Sequence, residues 1–333
     1  MRLPDHGGPE DLMPGKEQPD LLGPEIEEFE LELEKEQIHG RTALWSDVWY
    51  RLRHNKLAIV GIVIIIVLFL VAIFAPLLAT HDPLYSPLYD STVSSAEKAG
   101  AVKQTPNSEH WLGTDQLGRD IYSRLVHGSR VSVEVGIVAV LISLLIGLLF
   151  GALAGYFGGW GDSVIMRSAD IFFAFPTVLG AIVIMTVLGP GLINVFIAIG
   201  VLGWATIARI FRSSILSVKE NEYVEAARAM GASHARIIWK HIMPNSIQPI
   251  IVYATMGVGG AILAEAWLAF LGLGQQLPAP SWGNMLSEYL VYYTTDPWMM
   301  FIPGTAIVLS VLAFILLGDG LRDALDPRLK GSV

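Results

Sequence analysis

Six apolar stretches, each long enough or nearly long enough to cross a bilayer, constrain this chain more than any other feature. They are Leu57–Ala79, Gly136–Tyr156, Ile171–Leu188, Leu192–Ala208, a fifth from Ile247 to about Leu271, and Pro297–Gly318. A helix rises about 1.5 Å per residue and the hydrocarbon core is about 30 Å thick, so about 20 residues suffice. Only 16% of residues are charged and the mean hydropathy is +0.51, too little surface charge for a soluble domain of 333 residues. The expectation is an all-α integral membrane protein with six transmembrane helices. The third and fourth stretches are short and separated by Gly189-Pro190-Gly191, which predicts a tight hairpin.

Charge is distributed unevenly. Residues 1–40 hold twelve Asp and Glu against Arg2, Lys16 and Lys35, while the remaining 293 residues balance at nineteen acids and nineteen bases. The net charge of −9 therefore belongs to a tail and says nothing about a substrate. That tail has no basic n-region and reads as a disordered leader, residues 1–43, with a short helix over Pro24–Gln37 that puts Ile26, Phe29 and Leu33 on one side. Cysteine is absent, which excludes disulfides, thiolate metal sites and cysteine nucleophiles. With the N-terminus inside, seventeen of the Lys and Arg fall on inner segments and five on outer ones, all in the 80–130 loop. The bias places both termini in the cytoplasm.

Residues 44–56 put Leu44, Trp45, Val48, Trp49 and Leu52 on one face, followed by Arg51, Arg53 and Lys56, as in an interfacial elbow helix. The first span then occupies 57–79, an extracytoplasmic loop 80–130, the helical core 131–326 and a cytoplasmic tail 327–333. Gly147, Gly151 and Gly155 recur every four residues in the second span, a stripe suited to close approach of a neighbouring helix. Gly257, Gly259 and Gly260 are expected to serve the same purpose in the fifth.

The segment between the fourth and fifth spans carries the functional signal. Asn221 to Met230 is a good helix former that stops at Gly231, suited to the left-handed position after a helix end. Ser233 can cap a second helix, and Pro244 is expected to close it. Glu225, Arg228 and Arg236 offer charges at the rim, and Ala226 and Ala227 keep the surface low enough to enter a groove. Glu225-Ala226-Ala227 with Gly231 resembles the EAA motif of binding-protein-dependent ABC importers, the element by which such permeases couple to their ATPases. Its end reads Ile242-Met243-Pro244, where Met stands for the usual Leu, a tolerant exchange.

Further stretches are similar to the "C" permeases of the dipeptide, oligopeptide and nickel branch. They include Arg53-His54-Asn55-Lys56-Leu57-Ala58, Leu112-Gly113-Thr114-Asp115, Gly118-Arg119-Asp120, Phe270-Leu271-Gly272-Leu273-Gly274, Pro280-Ser281-Trp282-Gly283 and Asp326-Pro327-Arg328. The resemblance spans about Trp45 to Gly331. It implies a type I ABC importer permease in a bacterial or archaeal cytoplasmic membrane, with a homologous second permease, two cytoplasmic ABC ATPase subunits and an extracytoplasmic solute-binding protein. The coupling loop is residues 216–245, and the resemblance leaves dipeptides, oligopeptides, glutathione or nickel as the substrate.

Other candidate sites are weaker. Glu265 lies late in an apolar span, where a charge costs about 2.5–3.5 kcal/mol on insertion scales. It is expected to face the bundle, an interface or water, as a gate or pathway contact or as a polar anchor. His81, Asp82, His110, Asp115, Asp120 and His127 share the 80–130 loop, but their spacing matches no metal-ligand pattern. Asp115, Arg119, Asp120 and Arg124 instead predict local ion pairs. The only Gly-Lys is Gly15-Lys16, followed by Glu, so the chain has no P-loop. It is not expected to be an enzyme: ATP and Mg²⁺ belong to the partner ATPase, and neither cofactor nor nucleic acid is expected on this chain. A gradient-driven secondary transporter or channel is the rival from another class, predicting paired ionisable residues and broken helices at mid-membrane.

Overall fold

A bilayer interior supplies no hydrogen-bond partners, so each crossing must satisfy its own backbone, and the chain does this with helices. The computed structural model describes residues 46–326; the acidic tail 1–43, Leu44, Trp45 and the C-terminal 327–333 lie outside the described residues. The chain divides after Tyr50, and Arg51–Val333 forms the main unit. Residues 46–54 are helical (α1), the described part of the expected elbow. Asn55 then caps α2, Lys56–Ile73, accepting hydrogen bonds from the Leu57 and Ala58 amides at 3.1 Å.

The expected first span, 57–79, is not one helix. It breaks at Phe74 and resumes as α3, Ala75–Leu78, because Pro76 has no N–H to continue the ladder. After a short helix α4, Ser95–Ala101, closed by a capping box of Ser94 and Glu97, comes the longest element, α5, Ile121–Phe157. Its 37 residues extend about 55 Å, well beyond a hydrocarbon core. The last ten residues of the expected 80–130 loop are therefore its first turns, and the helical core begins ten residues earlier than at 131.

The third span is the second correction. The chain runs through α6, Gly159–Phe173, and α7, Thr177–Leu188, which meet at 91°. Pro176 sits at the break, where it leaves the preceding residue unsuited to helix. Gly189 and Gly191, both at positive φ, turn the chain into α8, Leu192–Val218, as the tight hairpin predicts. The coupling segment follows, then α12, Gln248–Phe270, an outer helix α13, Trp282–Tyr289, and α14, Pro297–Leu325.

Register settles how many crossings these make. Gly200 abuts Ile142, Gly147 abuts Ile207, and Gly155 abuts Ile215, so α5 and α8 run parallel. Two consecutive parallel spans need a return crossing between them, and the bent pair α6–α7 supplies it. Among the described residues, five helices are individually long and apolar enough to span, and the bent pair makes six. By the same reading α12 is antiparallel to α5, since Gly136 meets Val258 and Ile262 while Gly257 meets Val140. α14 is antiparallel to α12 and to α2, with Gly259 against Val311, Gly318 against Met256, and Gly61 against Ala313. The start of α2 and the end of α14 thus share one face, where Arg51 Nη1 donates to the Asp326 carbonyl at 3.4 Å.

The α5–α8 seam is the tightest. A β-carbon on Gly147 would lie 2.6 Å from Ile207 and 2.9 Å from the Trp204 carbonyl; on Gly151, 2.8 Å from the Ala208 carbonyl. Gly147→Val is therefore expected to lower stability by about 1–3 kcal/mol through overpacking. Gly260→Ala, where a β-carbon meets nothing within 4 Å, should be nearly neutral. Thermal unfolding of each variant in lipid nanodiscs checks the contrast; equal melting curves would contradict the seam.

Candidate functional site

Opposite ends of α5 carry two different assemblies. At its C-terminal end, the chain leaving α8 forms a helical hairpin. α9, Glu222–Ala229, ends with Gly231 at φ +82. The Gly231 amide donates to the Arg228 carbonyl and the Ala232 amide to the Ala227 carbonyl, both at 3.1 Å, the paired bonds of a Schellman ending. A β-carbon on Gly231 would meet nothing within 4 Å, so φ and not space demands glycine there. Ser233 then caps α10, His234–Arg236, its Oγ accepting from the Arg236 amide at 3.3 Å.

Pro244 does not close this second helix. A π-helical stretch, Ile237–Ile242, and α11, Met243–Ser246, continue it to the start of α12. In the π stretch the Met243 amide bonds five residues back, to Ile238, and the widened turn accommodates a proline that has no N–H to give.

The hairpin is held from beneath. Val224, Ile237 and Ile242 are buried with Ile207, Phe211, Ile215 and Ile250 in one apolar cluster. Tyr156 Oη and His234 Nδ1 are 2.6 Å apart, and Lys219 Nζ donates to the Gly155 carbonyl at 3.1 Å. Both contacts end on the last turn of α5. The motif residues therefore divide. Glu225, Ala226, Arg228 and Arg236 are exposed, whereas Ala227 and Ile242 are buried and Pro244 is half-buried. Ala227 packs inward and cannot share a partner's groove with Ala226. Sequence reasoning missed three large side chains on the outer surface: Tyr223, Met230 and Trp239, the last 67% exposed. Their signal was present as apolar residues flanking the motif. Nearby, Arg212 forks onto Asp162, and Arg209 pairs with Asp170 while lying over the Phe173 ring, joining α8 to α6.

At the other end of α5 the expected ion pairs form, but buried and with a partner the sequence did not reveal. Arg119 Nε meets Asp115 at 2.7 Å, and Glu288 of α13 receives Arg119 and Arg124 on its two oxygens, each at 2.8 Å. Arg124 Nε also lies 3.6 Å from Asp115. Burial opposes the charge of Arg119, but Asp115 and Glu288 outweigh it and raise its pKa further. Two cations and two anions leave the cluster neutral, which is what makes its burial tolerable. Asp120 is not among these pairs. It caps α5, accepting from the Ser123 amide at 2.7 Å, and its other oxygen faces His110.

Glu265 is fully buried in α12 rather than facing water. Neither carboxyl oxygen has a well-formed hydrogen bond; its polar neighbour Ser281 already accepts from the Asn284 amide.

Residues 147–331 match the family described as the binding-protein-dependent transport system inner membrane component. Residues 43–95 match the N-terminal transmembrane domain of oligopeptide transport permease C. The chain is 48% identical over 286 residues to the dipeptide transport system permease protein DppC of Alkalihalophilus pseudofirmus, covering 86% of this chain and 90% of that one. It is 43% identical over 289 residues to the oligopeptide transport system permease protein OppC of Bacillus subtilis, covering 86% and 91%. Among solved structures it shares the fold of the MetNI methionine ABC transporter in an inward-facing conformation, with TM-score 0.50 and 21% identity over 60% of this chain and 96% of that one.

The fold is that of a multi-pass helical membrane protein, and the family match makes it a transport subunit. The chain belongs to the binding-protein-dependent transport family of inner-membrane components and is a permease subunit of an ABC importer.

Removing one member of the buried cluster strands a charge. Glu288→Ala is expected to cost about 3–5 kcal/mol, because two buried guanidiniums are left with Asp115 as their one carboxylate. Arg167→Ala, which breaks an exposed pair with Asp170, should cost about 0–1 kcal/mol. Chemical or thermal unfolding in nanodiscs measures both.

Proposed function

We propose that the chain forms half of the translocation pathway of an ATP-driven importer of dipeptides or oligopeptides, and that hairpin 216–245 docks on a cytoplasmic ATPase. The observation that carries the docking is the division of the hairpin into two faces. Val224, Ala227 and Ile242 bind it to its own bundle, while Glu225, Ala226, Arg228, Met230 and Trp239 stand outward. Exposed Met and Trp beside exposed charged residues have the composition of a protein contact. The peptide class follows the substrates in the names of the two relatives above.

In this reading a second, homologous permease completes the pathway, two ATPase subunits bind ATP and Mg²⁺, and an extracytoplasmic binding protein delivers the substrate. This chain hydrolyses no ATP itself. Closure of the ATPases moves the two hairpins, and the bundles rock between outward and inward openings. Because the hairpin is fastened to α5 by Tyr156–His234 and Lys219–Gly155, a push on it reaches the longest helix directly.

Lys and Arg bias puts the hairpin and both termini in the cytoplasm. The absence of native cysteine gives a clean test. Ala96→Cys and Thr294→Cys, both exposed, are expected to react with a membrane-impermeant thiol reagent in intact cells. Glu220→Cys, also exposed, should react only after permeabilisation. The reverse pattern overturns the orientation.

Docking is tested on the hairpin itself. Gly231→Val forces a β-branched residue into φ > 0 at a cost of about 1–2 kcal/mol to the turn. Ala226→Trp fills the outward face without touching the bundle. Both variants should insert and pair with the second permease, yet lose ATPase co-purification or the stimulation of hydrolysis by loaded binding protein. Glu225→Lys should act in the same direction more weakly, since an exposed charge is screened. If all three behave as wild type, the hairpin is a connection between spans and nothing more.

A further inference from the structure

Sequence spacing gives no metal pattern in the 80–130 loop, yet folding brings three potential ligands together from two separate segments. Ligand atoms of His81, Glu109 and His110 all lie within 4.8 Å of one another. The two imidazoles are close, their ring centroids 4.5 Å apart. Each already has its Nδ1 beside an oxygen: His110 Nδ1 is 2.9 Å from Asp120 Oδ1, and His81 Nδ1 is 3.0 Å from Thr80 Oγ1. The Nε2 atoms are left to ligate. An imidazole held by a carboxylate through one nitrogen, with the other free, is the usual arrangement of a metal-binding histidine.

The backbone at both segments is fixed as well. The His81 amide donates to Ser123 Oγ at 3.0 Å, and the Glu109 and His110 amides donate to Asn107 Oδ1 at 2.9 and 2.8 Å. Asp120 is itself immobile, buried at the cap of α5. Tetrahedral bonds of about 2.0 Å bring ligand atoms to about 3.3 Å of one another. The remaining approach falls on the exposed Glu109 side chain and on His81, whose side chain is one-third exposed.

We propose that His81, Glu109 and His110 form a binding site for a borderline divalent transition-metal ion such as Zn²⁺, with water completing the coordination. Two imidazoles and one carboxylate favour Zn²⁺, Co²⁺ or Ni²⁺ over Mg²⁺ or Ca²⁺, which prefer all-oxygen sites. A bound ion ties the chain just beyond α3 to the turn at 107–111, at the end of α5 opposite the hairpin. The site stands whether or not the hairpin docks an ATPase.

The test uses the full chain in nanodiscs, purified without a histidine tag and titrated with CoCl2 and then ZnCl2. The expected result is one equivalent of Co²⁺ bound at micromolar concentration, with a visible absorption band of a low-coordinate site that Zn²⁺ abolishes. His81→Ala with His110→Ala should remove that band and the equivalent of metal. Glu109→Gln, on an exposed side chain, should bind at least about tenfold more weakly without altering the metal-free melting curve. Asp120→Asn retains a helix cap but loses the carboxylate behind His110, and should weaken binding about 10–100-fold. Absence of uptake by the wild type overturns the proposal. So does an equal equivalent bound by Glu109→Gln and by the double variant, because the ion then sits elsewhere.

Discussion

The parallel approach of α5 and α8 is the contact on which the rest of this structure depends. Lipid gives helices no hydrophobic reason to associate, so van der Waals packing must hold them. Gly147, Gly151 and Gly155 supply it by letting Ile207, Ala208 and Ile215 rest against bare backbone. The contact also dictates topology. Two sequential helices that run the same way need a return crossing, and only the bent pair α6–α7 lies between them. The six-crossing count among the described residues, the shared face of the start of α2 and the end of α14, and the position of the hairpin all follow.

The hairpin inherits its place from that seam. It leaves the end of α8 next to the end of α5, and its buried residues join the apolar cluster that α8 already forms. It is attached to its own bundle on one side and leaves side chains open on the other, as the proposed docking requires. The opposite end of α5 is fixed by different physics. There Asp115, Arg119, Arg124 and Glu288 join the long helix to α13 through a neutral buried cluster. The long helix is thus anchored at both ends, by the hairpin at one and by the ion cluster at the other.

Much of this was legible in the sequence, and the omissions have physical causes. Apolar runs revealed the spans because 20 consecutive apolar residues have few other uses. The glycine stripe revealed the seam, and Gly231 the turn, since each rests on a local backbone requirement. Pro76 and Pro176 announce breaks that hydropathy averages away, so 57–79 and 171–188 read as single spans. Pro244 misled in the other direction, because a π turn absorbs a missing N–H and hydropathy has no sign of it. Glu288 was invisible as the partner of Arg119 and Arg124, being more than 150 residues distant. His81 and His110 were seen in one loop, but a fold that brings them together across 29 residues leaves no sign in their spacing. Ala227 and Ile242 fit the motif in sequence but are buried in the chain's own core, a distinction that only burial reveals.

The central claim is that this permease moves its substrate with ATP hydrolysed by a partner. Proteoliposomes test it directly, measuring uptake of a labelled di- or oligopeptide by the chain alone and by the chain with its second permease, ATPases and binding protein. Uptake is expected only by the full assembly, only with ATP, and with no response to an imposed ion gradient. Uptake by this chain alone, driven by a proton or sodium gradient, would contradict it.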